Sequence, residues 1–482
     1  MSRPLIIAQP RLPLRDPHDC TDANDELAIY EAVFDTLVRR NANGFVPRLA
    51  ERWTVSADAK TWVFHLRPDV RFQDGSPCDA QAVCLSLARM ARADKGYTLG
   101  SPGVWWQYLG GAEIIAVDDL TVSIALAEPM ADLLDVLVQG YIAAPSSLAD
   151  LDAGITTRPV GTGPYRVVSA TETELQLSVV PGHFDGDPVH ETVTMRLVPD
   201  AADRLTALTS RAAGVATSLD YHASQTLTAP GHTRVETVLP VAIIYLLNAA
   251  NGPLADPRLR RALNLALDRD VLIETVVGGA AEPLLGFVSP MHFGAGEGAA
   301  LPQDLNAARA LVGEAGYADG LTLSLDCPTR LPDEAECLTA ALGDQLARIG
   351  ITLDVHLHHE REDYAHMVRR KEIGDLCVFD SSPLSTFRVL YEKIDARVKG
   401  AWWQGYHNAT VEALIDQARE TPDDPKRAAL FQAAYTEMQK DPPWLTLYNP
   451  IRVTGLLGNH PGFTMPVDGV LNIATLPKIG DT

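Results

Sequence analysis

The chain reads as an α/β protein made of two lobes. Strand-like alternation and helix-like spacing follow one another along its whole length. From about 256 to 440 the pattern is βα, with amphipathic helices laid on sheet faces. From 1 to 240 strands dominate, so the halves differ in texture. No internal repeat or low-complexity tract interrupts either half.

Taken in order, Leu5-Ile6-Ile7-Ala8 opens as a strand. Residues 59–66 (AKTWVFHL) alternate as a second. Gln73-Asp74-Gly75-Ser76-Pro77 is a turn, and Asp79 to Met90 a helix with apolar Ala82, Val83, Leu85, Leu87 and Met90. Residues 113–126 hold two apolar runs around Asp118-Asp119, a hairpin. Leu175 to Val180 is another strand. Residues 256–277 predict one helix, with Leu259, Ala262, Leu263, Ala266, Leu267 and Val271 at helical spacing. Asp256 caps it, Pro257 takes its first position and Gly278-Gly279 ends it. Ala307 to Glu314 and Ala335 to Ile349 are helices, alternating with strands at Leu321 to Leu325, Thr352 to Leu357 and Asp375 to Phe379. Helices near Thr410 to Glu420 and Lys426 to Lys440 precede a last strand around Leu445 to Tyr448.

Composition narrows the function. Of 482 residues, 46% are hydrophobic, which excludes a disordered chain. Forty basic against 62 acidic residues leave a formal charge of -22. Nucleic acid and anionic membrane surfaces are therefore poor partners. The most apolar stretch, Val241 to Leu247, is far short of the roughly 20 residues a membrane span needs. Met1-Ser2-Arg3-Pro4 leads straight into the first strand. Read literally that means cytoplasm; read as a chain with its leader removed it leaves the compartment open. None of the six cysteines forms a C-x2-C pair. Cys78 and Cys84, or Cys327 and Cys337, have the spacing of a local disulfide, and small buried apolar residues are the alternative.

Motifs spread over some 400 residues add to this reading. Val46-Pro47-Arg48-Leu49-Ala50-Glu51-Arg52-Trp53 is followed by Asp58-Ala59-Lys60-Thr61-Trp62, Phe64-His65-Leu66-Arg67-Pro68, Phe72 and Asp74-Gly75-Ser76-Pro77. Then come Gly161-Thr162-Gly163-Pro164-Tyr165, Asn248, Asp256-Pro257-Arg258-Leu259-Arg260-Arg261-Ala262, Ala266-Leu267-Asp268-Arg269 and Asp441-Pro442-Pro443-Trp444-Leu445. In this order they resemble the large extracytoplasmic solute-binding proteins of ATP-binding-cassette importers, in the family that takes peptides, nickel chelates and opines. Three places depart from its pattern: Ala59 stands where Gly is usual, Gly214-Val215-Ala216 where Gly-x-Asp is frequent, and Asp380-Ser381-Ser382-Pro383 where D-x-x-D-P is usual.

The resemblance implies a two-lobe clamshell of the periplasmic-binding-protein type. Lobe one would be about 1–240 plus 449–482, with an inserted subdomain near 45–160, and lobe two 241–448. A small ligand would bind in the interlobe cleft and favour the closed state. The partners implied are that ligand and a membrane permease, with the protein itself a monomer. No cofactor or bound metal is expected.

Site candidates follow. By the resemblance, Arg330 takes a ligand carboxylate and Asp380 its amino group; a guanidinium and a carboxylate suit those charges. Ser381 and Ser382 adjoin Asp380. The loop after the first strand, Asp16 to Thr21, supplies His18, Cys20 and Thr21. Trp105-Trp106 and Trp402-Trp403 offer aromatic faces, at most one of each pair toward a ligand. Tyr141 and Tyr245 are placed by family position. Against each stands a plain alternative: a solvated arginine, a helix-capping aspartate, a packed loop, a core aromatic.

His356, His358, His359 and His366 cluster, and two imidazoles on one strand face could take a metal, but the segment ends an ordinary strand and enters a polar turn, so an exposed polar strand face is the reading expected. His359-Glu360 fails as a metalloprotease motif because position 363 is Asp. No phosphate loop or nucleophile elbow is present, so the chain is not expected to be an enzyme. The function expected is capture of a small zwitterionic solute, such as a dipeptide, short peptide or opine-like conjugate. The alternatives are a nickel-chelate binder of the same family and a cytoplasmic ligand-sensing module.

Overall fold

The computed structural model describes residues 4–98, 102–296, 301–330 and 332–480. The chain forms two compact units, residues 1–237 with 452–482 and residues 238–451. Among the described residues no helix is long and apolar enough to cross a membrane.

The first unit contains β1 (Leu5–Gln9), α1 (Asn24–Val33), β2 (Val38–Asn41), β3 (Gly44–Pro47), β4 (Ala50–Val55), β5 (Thr61–Leu66) and α2 (Ala80–Met90). Next come α3 (Trp106–Leu109), β6 (Glu113–Asp118), β7 (Thr121–Ala125), α4 (Leu133–Leu137), α5 (Pro145–Asp152), β8 (Tyr165–Ala170), β9 (Glu174–Val179), β10 (Thr192–Leu197), α6 (Ala201–Thr209) and β11 (Val215–Leu219). β12 (His232–Val238) ends its first stretch. β1 lies parallel to β10 and to β11, and β10, β9 and β8 continue the sheet antiparallel. A separate four-stranded antiparallel sheet, β4-β5-β7-β6, also lies in this unit. Asp79 caps α2 by accepting from Ala82 N at 2.9 Å. Ala82, Val83, Leu87 and Met90 are buried, whereas Leu85 points outward. Ala59, at the family's usual glycine, takes φ 55°, the left-handed region that favours glycine.

The second unit contains β13 (Ala242–Leu247), α7 (Pro257–Ala266), α8 (Arg269–Val277), β14 (Ala281–Pro283), α9 (Leu305–Glu314), β15 (Leu321–Pro328) and α10 (Ala335–Ala347). β16 (Ile351–His358), α11 (Arg361–Arg369), β17 (Leu376–Ser381), α12 (Thr386–Lys393), α13 (Ala409–Arg419), α14 (Asp424–Lys440) and β18 (Trp444–Leu457) complete it. β15 runs parallel to both β16 and β17, and β13 pairs antiparallel with β17 and β18. Leu323, Leu325, Leu338, Leu342 and Leu346 pack the helix–sheet interface and are fully buried.

Three elements differ from expectation. The single helix over 256–277 is two: Leu267 is extended, and Asp268 caps a new helix by accepting from Val271 N at 3.1 Å. Leu267 is buried at the break, whereas Val271, expected on the same apolar stripe, is exposed in the second helix. The strand ending at Phe379 continues through Ser381, with Ala242 opposite Ser381 and Ile243 opposite Asp380. The last strand runs 14 residues, past Pro450, which pairs with Ala281 of the short strand β14. All six cysteines are free thiols, so neither local disulfide is present. Cys327 instead accepts a hydrogen bond from Thr339 Oγ1 at 3.4 Å.

The Gly161-Thr162-Gly163-Pro164-Tyr165 turn packs directly on the end of α1. Gly163 N donates to Val33 O at 3.0 Å. A Cβ on Gly163 would come within 2.5 Å of Val33 backbone. Backbone on both sides leaves no room to yield, so Gly163→Ala is expected to cost about 1–3 kcal/mol. Urea denaturation of the variant checks this, and an unchanged midpoint contradicts the packing account.

Candidate ligand-binding site

The parallel strands β15, β16 and β17 place their carboxyl ends along one edge of the second unit's sheet. In open α/β sheets that edge is where ligands bind. Arg330 follows β15 by two residues and is exposed. Asp380 is half-buried at the end of β17, inside the strand rather than in a loop after it. Ser381 is buried and its hydroxyl has no hydrogen-bond partner among the described residues; Ser382 is half-buried. Sequence reasoning missed the groups beneath this edge. Asp326 accepts from His358 Nε2 at 2.7 Å and from Gly374 N at 2.7 Å. Tyr364 hydroxyl donates to Val378 O at 2.5 Å. The available signal was an aspartate inside the apolar run Leu323-Ser324-Leu325-Asp326-Cys327.

Trp402 is half-buried, with its ring 4.7 Å from Phe379, the neighbour of Asp380. The Arg369 guanidinium lies 4.7 Å from the same indole. Trp403 is occupied locally, its Nε1 donating to Tyr406 O at 2.6 Å. Tyr245 is a correction: its ring is fully buried in the helix–sheet core, and its hydroxyl pairs with Thr339 Oγ1 at 3.0 Å. A side chain sealed there anchors α10 to the sheet and offers a ligand nothing.

In the first unit the candidates fall into a packed hub. His18 has no exposure. Its Nδ1 accepts from Arg89 Nη1 at 2.7 Å, so the proton sits on Nε2, which donates to Tyr141 O at 3.0 Å. Both nitrogens are used, so His18 pins the 16–20 segment to α2 rather than facing a ligand. Arg89 also donates to Asp16 at 2.5 and 2.9 Å and to Asp152 at 2.9 Å. Burial pushes Asp16 up, but the bonds from Arg89 prevail and hold it below the usual carboxylate range. Trp105 is fully buried and donates to His18 O at 2.8 Å. Tyr141 is buried edge-on against Tyr30 at 5.4 Å. Trp105 and Tyr141 are therefore core aromatics, a second correction. Trp106 is 50% exposed and Thr21 half-buried, its Oγ1 accepting from Ala23 N at 3.1 Å. Cys20 is buried, and its N–H donates to Tyr97 O at 2.8 Å.

The histidine cluster divides. His356 is exposed beside Asp354 at 3.5 Å, and His358 is bound to Asp326. Asp423 caps α14 through Lys426 N at 3.1 Å.

This architecture is found in solved binding proteins. HbpA2 from Haemophilus parasuis superposes with a TM-score of 0.83 at 23% identity, over 98% of this chain and 99% of the other. DppA from Helicobacter pylori, solved in complex with peptide STSA, gives 0.81 at 22% identity, over 98% and 97%. The fold is thus that of the peptide-binding class of periplasmic binding proteins. The sequence profile of the bacterial extracellular solute-binding proteins, family 5, matches residues 44–380, and the chain belongs to that family. The glutathione-binding protein GsiB of Salmonella paratyphi A is 28% identical over 472 residues, covering 94% of this chain and 90% of its own. The protein is accordingly a solute-binding component of an ATP-binding-cassette importer, and its relatives are transport proteins rather than enzymes.

Burial, reinforced by Arg89, pushes His18 down to about 4. Its unfolded value is near 6.5, so the unfolded chain takes up the proton first as pH falls. The neutral, buried ring contributes its full stability above pH 6.5 and loses up to about 3 kcal/mol of it by pH 4. Urea denaturation across that window should show the loss. His18→Asn, less stable at pH 7, should show a slope shallower by that amount; parallel profiles would contradict the assignment.

Proposed function

We propose that the protein captures a small zwitterionic solute, a dipeptide, short peptide or opine-like conjugate, outside the cytoplasmic membrane and passes it as a monomer to the importer's permease. The observation that carries this reading is the pair of opposite charges at the ends of adjacent parallel strands, Arg330 beyond β15 and Asp380 closing β17. A guanidinium reads a carboxylate through two parallel hydrogen bonds, and a carboxylate reads an ammonium. Ser381 and Ser382 supply hydroxyls beside Asp380, and Trp402 an apolar wall. The similarity to a glutathione-binding protein and to a protein solved with a tetrapeptide supports the same class, since both ligands carry an amino group and a carboxylate.

A thermal-shift screen against dipeptides, tetrapeptides, opines and glutathione tests the class. A ligand at 100 times its Kd adds about 2.7 kcal/mol to stability. The shift should vanish when the amino group is acetylated or the carboxylate amidated; a shift that survives both blocks removes the zwitterion reading.

Calorimetry then assigns the charges. Asp380→Asn should weaken an amino-bearing ligand more than tenfold, about 1.4 kcal/mol. Arg330→Ala should do the same for the carboxylate. If either variant keeps the parent affinity, that residue lies outside the site.

A further inference from the structure

The turn after α11 is built around a lysine that neither backbone preference nor solvation favours. Lys371 takes φ 63°, in the left-handed region. Its half-buried ammonium donates to Gly400 O at 2.7 Å and to Ala401 O at 2.8 Å. These carbonyls are consecutive, and the next residue is Trp402. Burial, with Arg369 adding its like charge, pushes Lys371 down to about 8.

The same loop is fastened at two further points. Gln404 Nε2 donates to Val368 O near the end of α11 at 2.8 Å. Trp402 N donates to Glu392 O in α12 at 3.3 Å. A Cβ on Gly400 would lie 2.5 Å from that same Glu392 carbonyl, so the backbone approach is as close as glycine allows. The loop thus delivers one indole, set 4.7 Å from Phe379 beside Asp380.

Strain and desolvation gathered on one residue persist where the surrounding structure needs that residue in place. We propose that Lys371 is a positioning residue of the ligand site, holding the Gly400 and Ala401 carbonyls so that Trp402 stands against Phe379 at the end of β17. This rests on the reading that Trp402 and Asp380 meet the ligand. Lysine supplies what the turn requires: a long stem crossing from α11, and a head with enough donors for two carbonyls. Arginine keeps the charge and several donors, whereas methionine keeps only the stem.

Calorimetry with glutathione and with alanylalanine tests this in the parent and four variants. Lys371→Met is expected to weaken the probe that binds by at least fivefold, with a thermal midpoint close to the parent. Lys371→Arg is expected to recover most of the loss, which general loosening of the unit would not predict. In a Trp402→Leu background, Lys371→Met is expected to add nothing. Parent-like affinity for Lys371→Met, or losses that add in the double variant, overturns the proposal while leaving the zwitterion reading intact. Parent-like affinity for Trp402→Leu overturns the proposal and takes Trp402 out of the site, again leaving the charge pair untouched; binding of neither probe by the parent overturns both the proposal and the zwitterion reading. Should Lys371→Met not fold, Lys371→Gln replaces it with the same expected results.

Discussion

A single carboxylate with no exposure organises the first unit. Asp35, just past α1, accepts from Arg48 at 2.5 and 3.0 Å, from Thr162 at 3.1 Å and from His183 at 3.1 Å. A buried carboxylate is tolerable only when its lone pairs are filled by donors, and here three distant segments must arrive together to fill them. Burial alone would push Asp35 up, yet the His183 and Arg48 contacts hold it down at about 2. Gln73 makes the neighbouring closure, donating to Val33 O, Gly163 O and Tyr165 O at 2.8, 3.2 and 2.7 Å. Arg48, Gln73 and Thr162 belong to three separate recognition motifs of the family. The motifs converge because they supply the hydrogen bonds of one chain segment, residues 33–35.

The second unit solves a different problem, the loose ends of parallel strands. Strands in such sheets stop at one edge with backbone groups that the ladder no longer satisfies. Asp326 takes Gly374 N, Tyr364 takes Val378 O, and Asp375 takes Ser324 N at 2.8 Å. These bonds tie the chain entering β17 to β15 and α11, so the strand that closes with Asp380 and Ser381 starts from a fixed point.

Much of this was legible in the sequence, and what was not has identifiable causes. Alternation placed β5, β15 and β16 because one face of each is apolar. The hairpin β6–β7 followed from Asp118, whose carboxylate accepts from Leu120 N at 2.9 Å. The break at Leu267 was hidden because apolar residues recur at helical spacing across it, although Val271 beyond the break is exposed. The length of β18 was hidden by Pro450, a residue that ordinarily argues against a strand. Asp380 and Arg330 were proposed through resemblance, but the extension of β17 to Ser381 depends on pairing with β13, a contact about 138 residues away along the chain. Tyr141, Trp105, Tyr245 and His18 were misread for one reason. Aromatic and histidine side chains have the same chemistry in a core as in a site, and only the partners of their polar atoms distinguish the two.

Of the six thiols, five are buried and Cys337 is exposed in the first turn of α10. Burial pushes the Cys78 and Cys377 thiols well above their usual range, and raises Cys84 and Cys327 as well. Reactivity toward alkylating reagents follows the thiolate form and its access to solvent. The native chain therefore carries its own attachment point for a fluorophore or spin label. It lies on the helix packed against β15, so spectroscopy of this unit needs no cysteine engineered in and none removed.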